Sequence, residues 1–235
     1  MSGSLLDVDS ILLDIMERLQ ELASNYPLDF VADFFDFIIL SVGLYRFKDL
    51  RWEMRFLVGY FFCAFIKDII SLYYAYYKMS NFYIYNIYSF IEIFFISAAY
   101  VFAFNKLFQK KSTLCIGVFS LILNAYFFSL EELSAINFTI FRIFTIIIVL
   151  MHFVSLLSEM RIKNIANYSM FWVSSGLLIY AAGTLFTFLF IKYLYTVSRD
   201  TRNLFIDSTQ VLYILFCLFA LIGFLVSKHD KENFE

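Results

Sequence analysis

The sequence predicts an all-α polytopic membrane protein, a bundle of about seven transmembrane helices preceded by an amphipathic N-terminal helix. Of its 235 residues, 62% are hydrophobic and 16% are charged. Soluble globular domains are nearer half apolar and a quarter charged. The mean hydropathy of +0.76 agrees with this comparison. The chain therefore has too few polar side chains to cover a water-soluble globule.

The first predicted element is an acidic amphipathic helix within residues 1–27. Its apolar residues recur at alternating steps of three and four, which places them in one seam of a helix. They are Leu5, Val8, Leu12, Ile15, Leu19 and Leu22. The seam is equally consistent with self-association in a homo-oligomer and with packing against the rest of the protein or the membrane surface. The acidic start excludes a cleavable signal peptide, and Pro27 ends the helix.

The second predicted unit is a single transmembrane bundle over residues 28–228, followed by a short charged cytoplasmic tail at 229–235. Its apolar stretches approach the ~20 residues that a transmembrane helix needs. They cover residues 28–45, 56–77, 82–104, 114–130, 136–157, 168–191 and 206–226. Asp33 and Asp36 interrupt the first stretch. If that stretch only lies in the interface, six helices span and the N-terminus moves to the cytoplasm.

The distribution of basic residues predicts the orientation of the bundle. Eleven lysines and arginines follow the first, third, fifth and seventh stretches, against five on the other side. Because cytoplasmic loops are enriched in Lys and Arg, the N-terminus is expected outside and the C-terminus inside. The bilayer is then the main partner, and the basic loops 46–55 and 106–111 could contact a cytoplasmic protein.

Several function classes are excluded at this stage. The net charge of −2 predicts no nucleic-acid partner. Cys63, Cys115 and Cys217 lie in separate apolar stretches, so we expect them to be packing residues and expect neither a thiolate metal site nor a disulfide framework. The sequence contains no HExxH, phosphate-cradling glycine loop or nucleophile elbow. We expect no catalytic residue, metal or cofactor, although acid–base work on a lipid by buried carboxylates stays a minor alternative.

The most informative residues are ionisable side chains inside the predicted spans, because such residues are expensive in hydrocarbon and often functional. At 1.5 Å per helical residue, they lie about 8–15 Å below the outer boundary. The candidate binding residues are Asp33, Asp36, Lys67, Asp68, Glu92 and Arg142. Secondary candidates are Tyr85, Asn124, His152 and Gln210. His152 lies nearer the cytoplasmic end, where a packing role is favoured.

This layer contains more carboxylates than bases, which predicts a site for a cation, a proton or a small cationic solute in a channel or transporter. One structural alternative is that buried pairs, such as Asp36 with Arg142 or Glu92 with Lys67, only fix the helices. Lys67 and Asp68 point about 100° apart around their helix, so we expect them to serve different neighbours. The alternative function is a non-enzymatic sensor or accessory subunit that binds a ligand outside and a protein inside.

One part of the chain also resembles a known group of proteins. The segments that carry the resemblance are Arg46-Phe47-Lys48, Trp52-Glu53-Met54-Arg55, Asp68-Ile69-Ile70-Ser71, and Asn81 to Tyr88 with Glu92. Together they resemble small uncharacterised seven-pass inner-membrane proteins of Gram-negative bacteria. The resemblance covers residues 46–92 and does not include the acidic N-terminal helix. It implies a seven-pass topology in the bacterial inner membrane and no particular activity.

Overall fold

The computed structural model describes residues 15–159, 162–194 and 196–233, together with the side chains in these ranges except those of Arg199 and Lys231. This part of the chain is helical and contains no β-strand. Of the predicted N-terminal seam, Leu5, Val8 and Leu12 lie outside the described residues. Of the described part, Leu22 is buried and packs against the protein's own body, whereas Ile15 and Leu19 are partly exposed.

The helices follow one another with short connections. Residues 15–25 form α1. They are followed by α2 (Pro27–Tyr45), α3 (Trp52–Tyr76), α4 (Phe82–Ala103), α5 (Leu107–Tyr126), α6 (Ala135–Glu159), α7 (Ser169–Leu189), α8 (Ile191–Leu194), α9 (Arg199–Val226) and α10 (Asp230–Asn233). Single 3₁₀ turns occupy Ile165–Asn167 and Ser227–His229. No strong helix breaker falls inside the long helices, which explains their unbroken length.

The long helices form one bundle. Helix α2 packs on α3 and α9, α7 packs on α6 and α9, and α4 packs on α3, α5 and α6. The shared core contains fully buried large side chains, among them Phe61, Tyr100, Ile148 and Phe216. Because lipid is as apolar as these side chains, their close packing, and not transfer out of water, holds the helices together.

The bundle has two chemically different ends. At the end that we call the basic end, Nη1 of Arg46 donates to the carbonyls of Phe224 and Leu225 at 2.6 and 2.8 Å. Asp230 there accepts from the backbone N–H of Ser169 at 2.9 Å, which satisfies a free donor at the start of α7. At the opposite end, which we call the cavity end, the amide of Asn86 donates to carbonyls in the α5–α6 connection.

Among the described residues, five helices are long and apolar enough to cross a membrane: α3, α4, α6, α7 and the greater part of α9 with the turn that follows it. Helices α2 and α5 do not meet that criterion. Helix α2 carries three aspartates, and the first two turns of α5 contain the polar run Gln109-Lys110-Lys111-Ser112-Thr113. Helix α5 also ends at Tyr126, so the expected helical stretch to residue 130 is too long. Because five helices are long and apolar enough to span, the protein is an integral membrane protein with several spans.

Candidate functional site

A cavity of about 390 Å³ opens within the cavity-end half of the bundle. Residues from α1 to α4, α6, α7, α8 and α9 line it. Five of the six predicted binding residues are in its wall, namely Asp33, Lys67, Asp68, Glu92 and Arg142. Asp29 adds another carboxylate to the same wall. The cavity is therefore lined by four carboxylates and two bases, on four different long helices.

The acidic side of the cavity belongs to α2. Asp29 and Asp33 are four residues apart, so both carboxylates lie on one helix face and both line the cavity. Asp36 continues that face, but it is fully buried between α2 and α9. Its two carboxylate oxygens accept from the hydroxyl of Tyr213 at 2.7 and 2.8 Å, and Sγ of Cys217 lies 3.6 Å away. Asp36 therefore does not line the cavity itself, but it holds Tyr213, which does.

Lys67 and Asp68 form an ion pair with each other. The expectation that they serve different neighbours is therefore wrong. Although their Cα–Cβ bonds point about 100° apart, the four-carbon stem of lysine is long enough to return its ammonium to the adjacent carboxylate. The ammonium also lies over the rings of Tyr85 and Tyr88, at 5.4 and 5.2 Å from their centroids. One of the two bases in the cavity is therefore already neutralised.

Glu92 lies deeper in the cavity wall and is 5% exposed. The hydroxyl of Tyr60 donates to its Oε1 at a long 3.4 Å. No ion pair within the described part of the chain includes Glu92. The pair with Lys67 considered from the sequence does not form, because Lys67 is held by Asp68. Glu92 is consequently a buried carboxylate with free hydrogen-bonding capacity.

Arg142 lies in α6 and is 2% exposed. Its Nε donates to Thr184 at 2.9 Å, and its Nη2 donates to the hydroxyl of Tyr180 at 2.8 Å. The guanidinium also lies 4.5–5.0 Å from the ring centroids of Phe141, Tyr180 and Phe188. Its Nη1 has no hydrogen-bond acceptor. The pair with Asp36 considered from the sequence does not form, since α2 and α6 pack on different helices.

The secondary candidates divide between the cavity and the surrounding core. Tyr85 and Gln210 line the cavity. Asn124 does not: its amide donates to Ser89 at 2.7 Å inside the packed core. His152 lies toward the basic end, where its Nδ1 is 3.0 Å from the hydroxyl of Ser174. The structure therefore does not bring Asn124 and His152 into the site.

Sequence reasoning missed most of the tyrosines of the cavity. Tyr60, Tyr88, Tyr180 and Tyr213 all line it. The signal that could have identified them is the hydroxyl itself, because a buried Tyr O–H in an apolar span needs a polar partner.

The composition of the wall limits its chemistry. Among the described residues, no three His, Cys, Asp or Glu side chains are placed to hold a metal ion. The wall combines carboxylates, tyrosine hydroxyls and aromatic rings, which can hold an organic cation or a proton through charge and cation–π contacts. A comparison of the chain with known protein families, curated proteins and solved structures finds no match.

Proposed function

We propose that the protein is a seven-span protein of the bacterial inner membrane, with its N-terminus outside and its C-terminus in the cytoplasm. Helices α2 and α5 have 19 and 20 residues. At 1.5 Å per residue they reach about 28–30 Å, which is the thickness of the hydrocarbon core. Each packs along neighbours that qualify as spans, α2 on α3 and α9 and α5 on α4 and α6. The three aspartates of α2 are tolerated because they face the cavity or Tyr213 instead of lipid.

We propose further that the cavity binds a cation, a proton or a small cationic solute, and that the protein is a channel or transporter for it. The observation that carries this proposal is the charge of the wall. Four carboxylates line the cavity against two bases, and Lys67 is already paired with Asp68. The remaining acidic surplus favours a positively charged occupant.

One observation favours the alternative function, a sensor or accessory subunit. The cavity is lined by residues of the cavity-end half, whereas tightly buried side chains such as Phe61, Tyr100 and Ile148 fill the bundle toward the basic end. A transporter must open this core, but a ligand sensor need not.

In the basic loops, Arg46 and Arg55 donate to backbone carbonyls, which leaves the exposed Lys48 and Lys111 for a cytoplasmic partner. A homo-oligomer also stays a prediction.

The test is flux through purified protein in liposomes, under gradients of protons, of sodium or potassium ions, and of small organic amines. We expect wild-type protein to conduct one of these and Glu92→Gln to abolish that flux while inserting normally. Glu53→Gln is the control, because Glu53 is also a buried glutamate but lies near the basic end, where it pairs with Arg51. Absence of flux in the wild type, with co-purification of a partner that is lost in Lys48→Glu with Lys111→Glu, would favour the sensor.

A further inference from the structure

Arg142 is the one feature of the cavity that a simple cation site does not explain. A positive charge in the wall repels a cationic occupant, and burying an unpaired guanidinium in a bundle is expensive. Its Nη1 is buried and has no acceptor. The side chain nevertheless lines the cavity that holds four carboxylates. Glu92 is the cavity carboxylate that interacts electrostatically with this charge, but none of the described ion pairs includes Arg142, so Nη1 is left without an acceptor.

The fold holds this charge in place. Thr184 and Tyr180 of α7 fix Nε and Nη2, and the rings of Tyr180 and Phe188 flank the guanidinium plane. These contacts use two of the three guanidinium nitrogens and leave Nη1 as the free donor. An orientation set by four contacts from neighbouring side chains is typical of a preorganised binding group.

Two carboxylates lie on a different wall of the cavity from Arg142. Asp29 and Asp33 line the cavity from α2, which packs on α3 and α9, whereas Arg142 lines it from α6, which packs on α4, α5 and α7. None of the described ion pairs joins Arg142 to either aspartate. The cavity thus presents a positive group and negative groups from different helices around an interior of about 390 Å³.

We infer that the occupant is a small organic zwitterion whose anionic oxygen group is held by Nη1 of Arg142 and whose ammonium group is held by Asp33 and Asp29. A carboxylate and a phosphate both fit the guanidinium donor. The occupant can therefore be an amino-acid-type solute or a phosphoethanolamine group. The volume of the cavity is in the range of small-molecule sites. This inference rests on the proposed cationic site and specifies its occupant.

The experiment is calorimetric titration of the purified protein in detergent with matched probes. The zwitterionic probes are the twenty standard amino acids and O-phosphoethanolamine. Each is compared with the amine that lacks its anionic group, for example 3-methylbutylamine for leucine and ethanolamine for O-phosphoethanolamine. The variants are Arg142→Gln and Arg142→Lys. Lys192→Gln is the control, because Lys192 is a highly exposed cation at the cavity end and outside the cavity wall.

We expect at least one zwitterion to bind about tenfold or more tightly than its amine, as a hydrogen bond to a charged group implies. Arg142→Gln should remove the preference for the zwitterion, because zwitterion binding loses its donor while amine binding becomes tighter once the repelling charge is gone; Lys192→Gln should alter neither. Binding of amino acids together with O-phosphoethanolamine, or of either alone, identifies which anionic group the site takes.

The inference is overturned if each amine binds as tightly as its zwitterion, or if Arg142→Gln leaves the ratio unchanged. It is also overturned if no zwitterion binds while cation or proton flux is present, in which case the proposed cation site stands alone. If wild-type protein shows neither binding of any probe nor flux, both proposals are refuted together. Should neither Arg142 variant fold, the ratio measured on wild-type protein still decides the question.

Discussion

The hydroxyl of Tyr180 accepts a hydrogen bond from Nη2 of Arg142 at 2.8 Å, and the ring of the same tyrosine lies 4.5 Å from the guanidinium. One side chain of α7 therefore gives this buried charge both a polar and an aromatic contact. Because no carboxylate pairs with Arg142 in the described part of the chain, these contacts hold the guanidinium in the cavity wall.

Replacing Tyr180 by phenylalanine should separate the two contacts. The ring and its cation–π contact remain, but Nη2 loses its acceptor. Leaving a buried donor unsatisfied costs about 1–3 kcal/mol. We expect Tyr180→Phe to lower the thermal unfolding temperature in detergent. Tyr126→Phe, at a tyrosine that is 80% exposed, is the control and should unfold like the wild type; equal stability of both variants would show that the hydroxyl contact contributes nothing.

The second prediction concerns the hydrogen bond between Asp36 and Tyr213. A hydrogen bond contributes about 0.5–1.5 kcal/mol between neutral groups and about 1.5–3 kcal/mol to a charged group. A double-mutant cycle with Asp36→Ala and Tyr213→Phe should therefore give a coupling free energy of this size. Asp36→Asn, which keeps one acceptor oxygen, should be less destabilising than Asp36→Ala. Strictly additive effects in the cycle would mean that the two residues act independently.

The third prediction concerns the close approach of α7 and α9. A Cβ at Gly176 would lie 2.7 Å from Cβ of Phe219 and 3.2 Å from the backbone oxygen of Phe216. A Cβ at Gly183 would instead meet the flexible methyl end of Leu212 at 2.7 Å. We expect Gly176→Ala to destabilise the bundle by about 1–3 kcal/mol through overpacking. Gly183→Ala should cost clearly less, and the reverse order in thermal unfolding would contradict this packing.

The fourth prediction is a pH dependence that arises at the basic end. Asp230 is fully buried, and burial raises the pKa of its carboxyl above the ordinary value of 3.8, although its bonds to Ser169 oppose the shift. The native state therefore binds a proton more tightly than the unfolded state. The stability contributed by that proton is present at pH below about 4 and is lost as the pH rises through the native pKa.

The measurement is thermal unfolding of wild type and Asp230→Asn in detergent from pH 3.5 to 7. We expect the stability of the wild type relative to the variant to fall across the lower part of this range and then to become constant. The variant lacks this carboxyl and keeps one acceptor oxygen for Ser169. A relative stability that rises with pH would mean that the bonds from Ser169 outweigh burial.

The sequence was sufficient to predict a helical membrane protein with several spans and to group most of its buried charged residues. Composition and the length of apolar runs predict spans, and ionisable groups in hydrocarbon must turn toward one another or toward a cavity. For this reason Asp33, Asp68, Glu92 and Arg142, which lie far apart in the chain, could be assigned to one layer. Five described helices are long and apolar enough to cross a membrane, which agrees with a multi-span membrane protein. The count of seven spans stays a prediction.

The choice of partners could not be predicted, because it depends on how each helix is rotated and on how far each side chain reaches. Lys67 turns back to its own neighbour, Asp68. Arg142 takes uncharged partners in α7 because that helix packs directly on α6. Asn124 does not line the cavity, because its amide donates to Ser89 in the core. A depth measured along one helix contains none of this information.

The central claim is that the acidic cavity holds a positively charged group during function. The most direct test measures uptake of protons, of sodium or potassium ions, and of small organic amines into liposomes that contain wild type, Glu92→Gln or the control Glu53→Gln, each shown to be inserted and folded. The account predicts that wild type and Glu53→Gln take up one of these species at similar rates and that Glu92→Gln takes up none. Uptake by Glu92→Gln at the wild-type rate would contradict it.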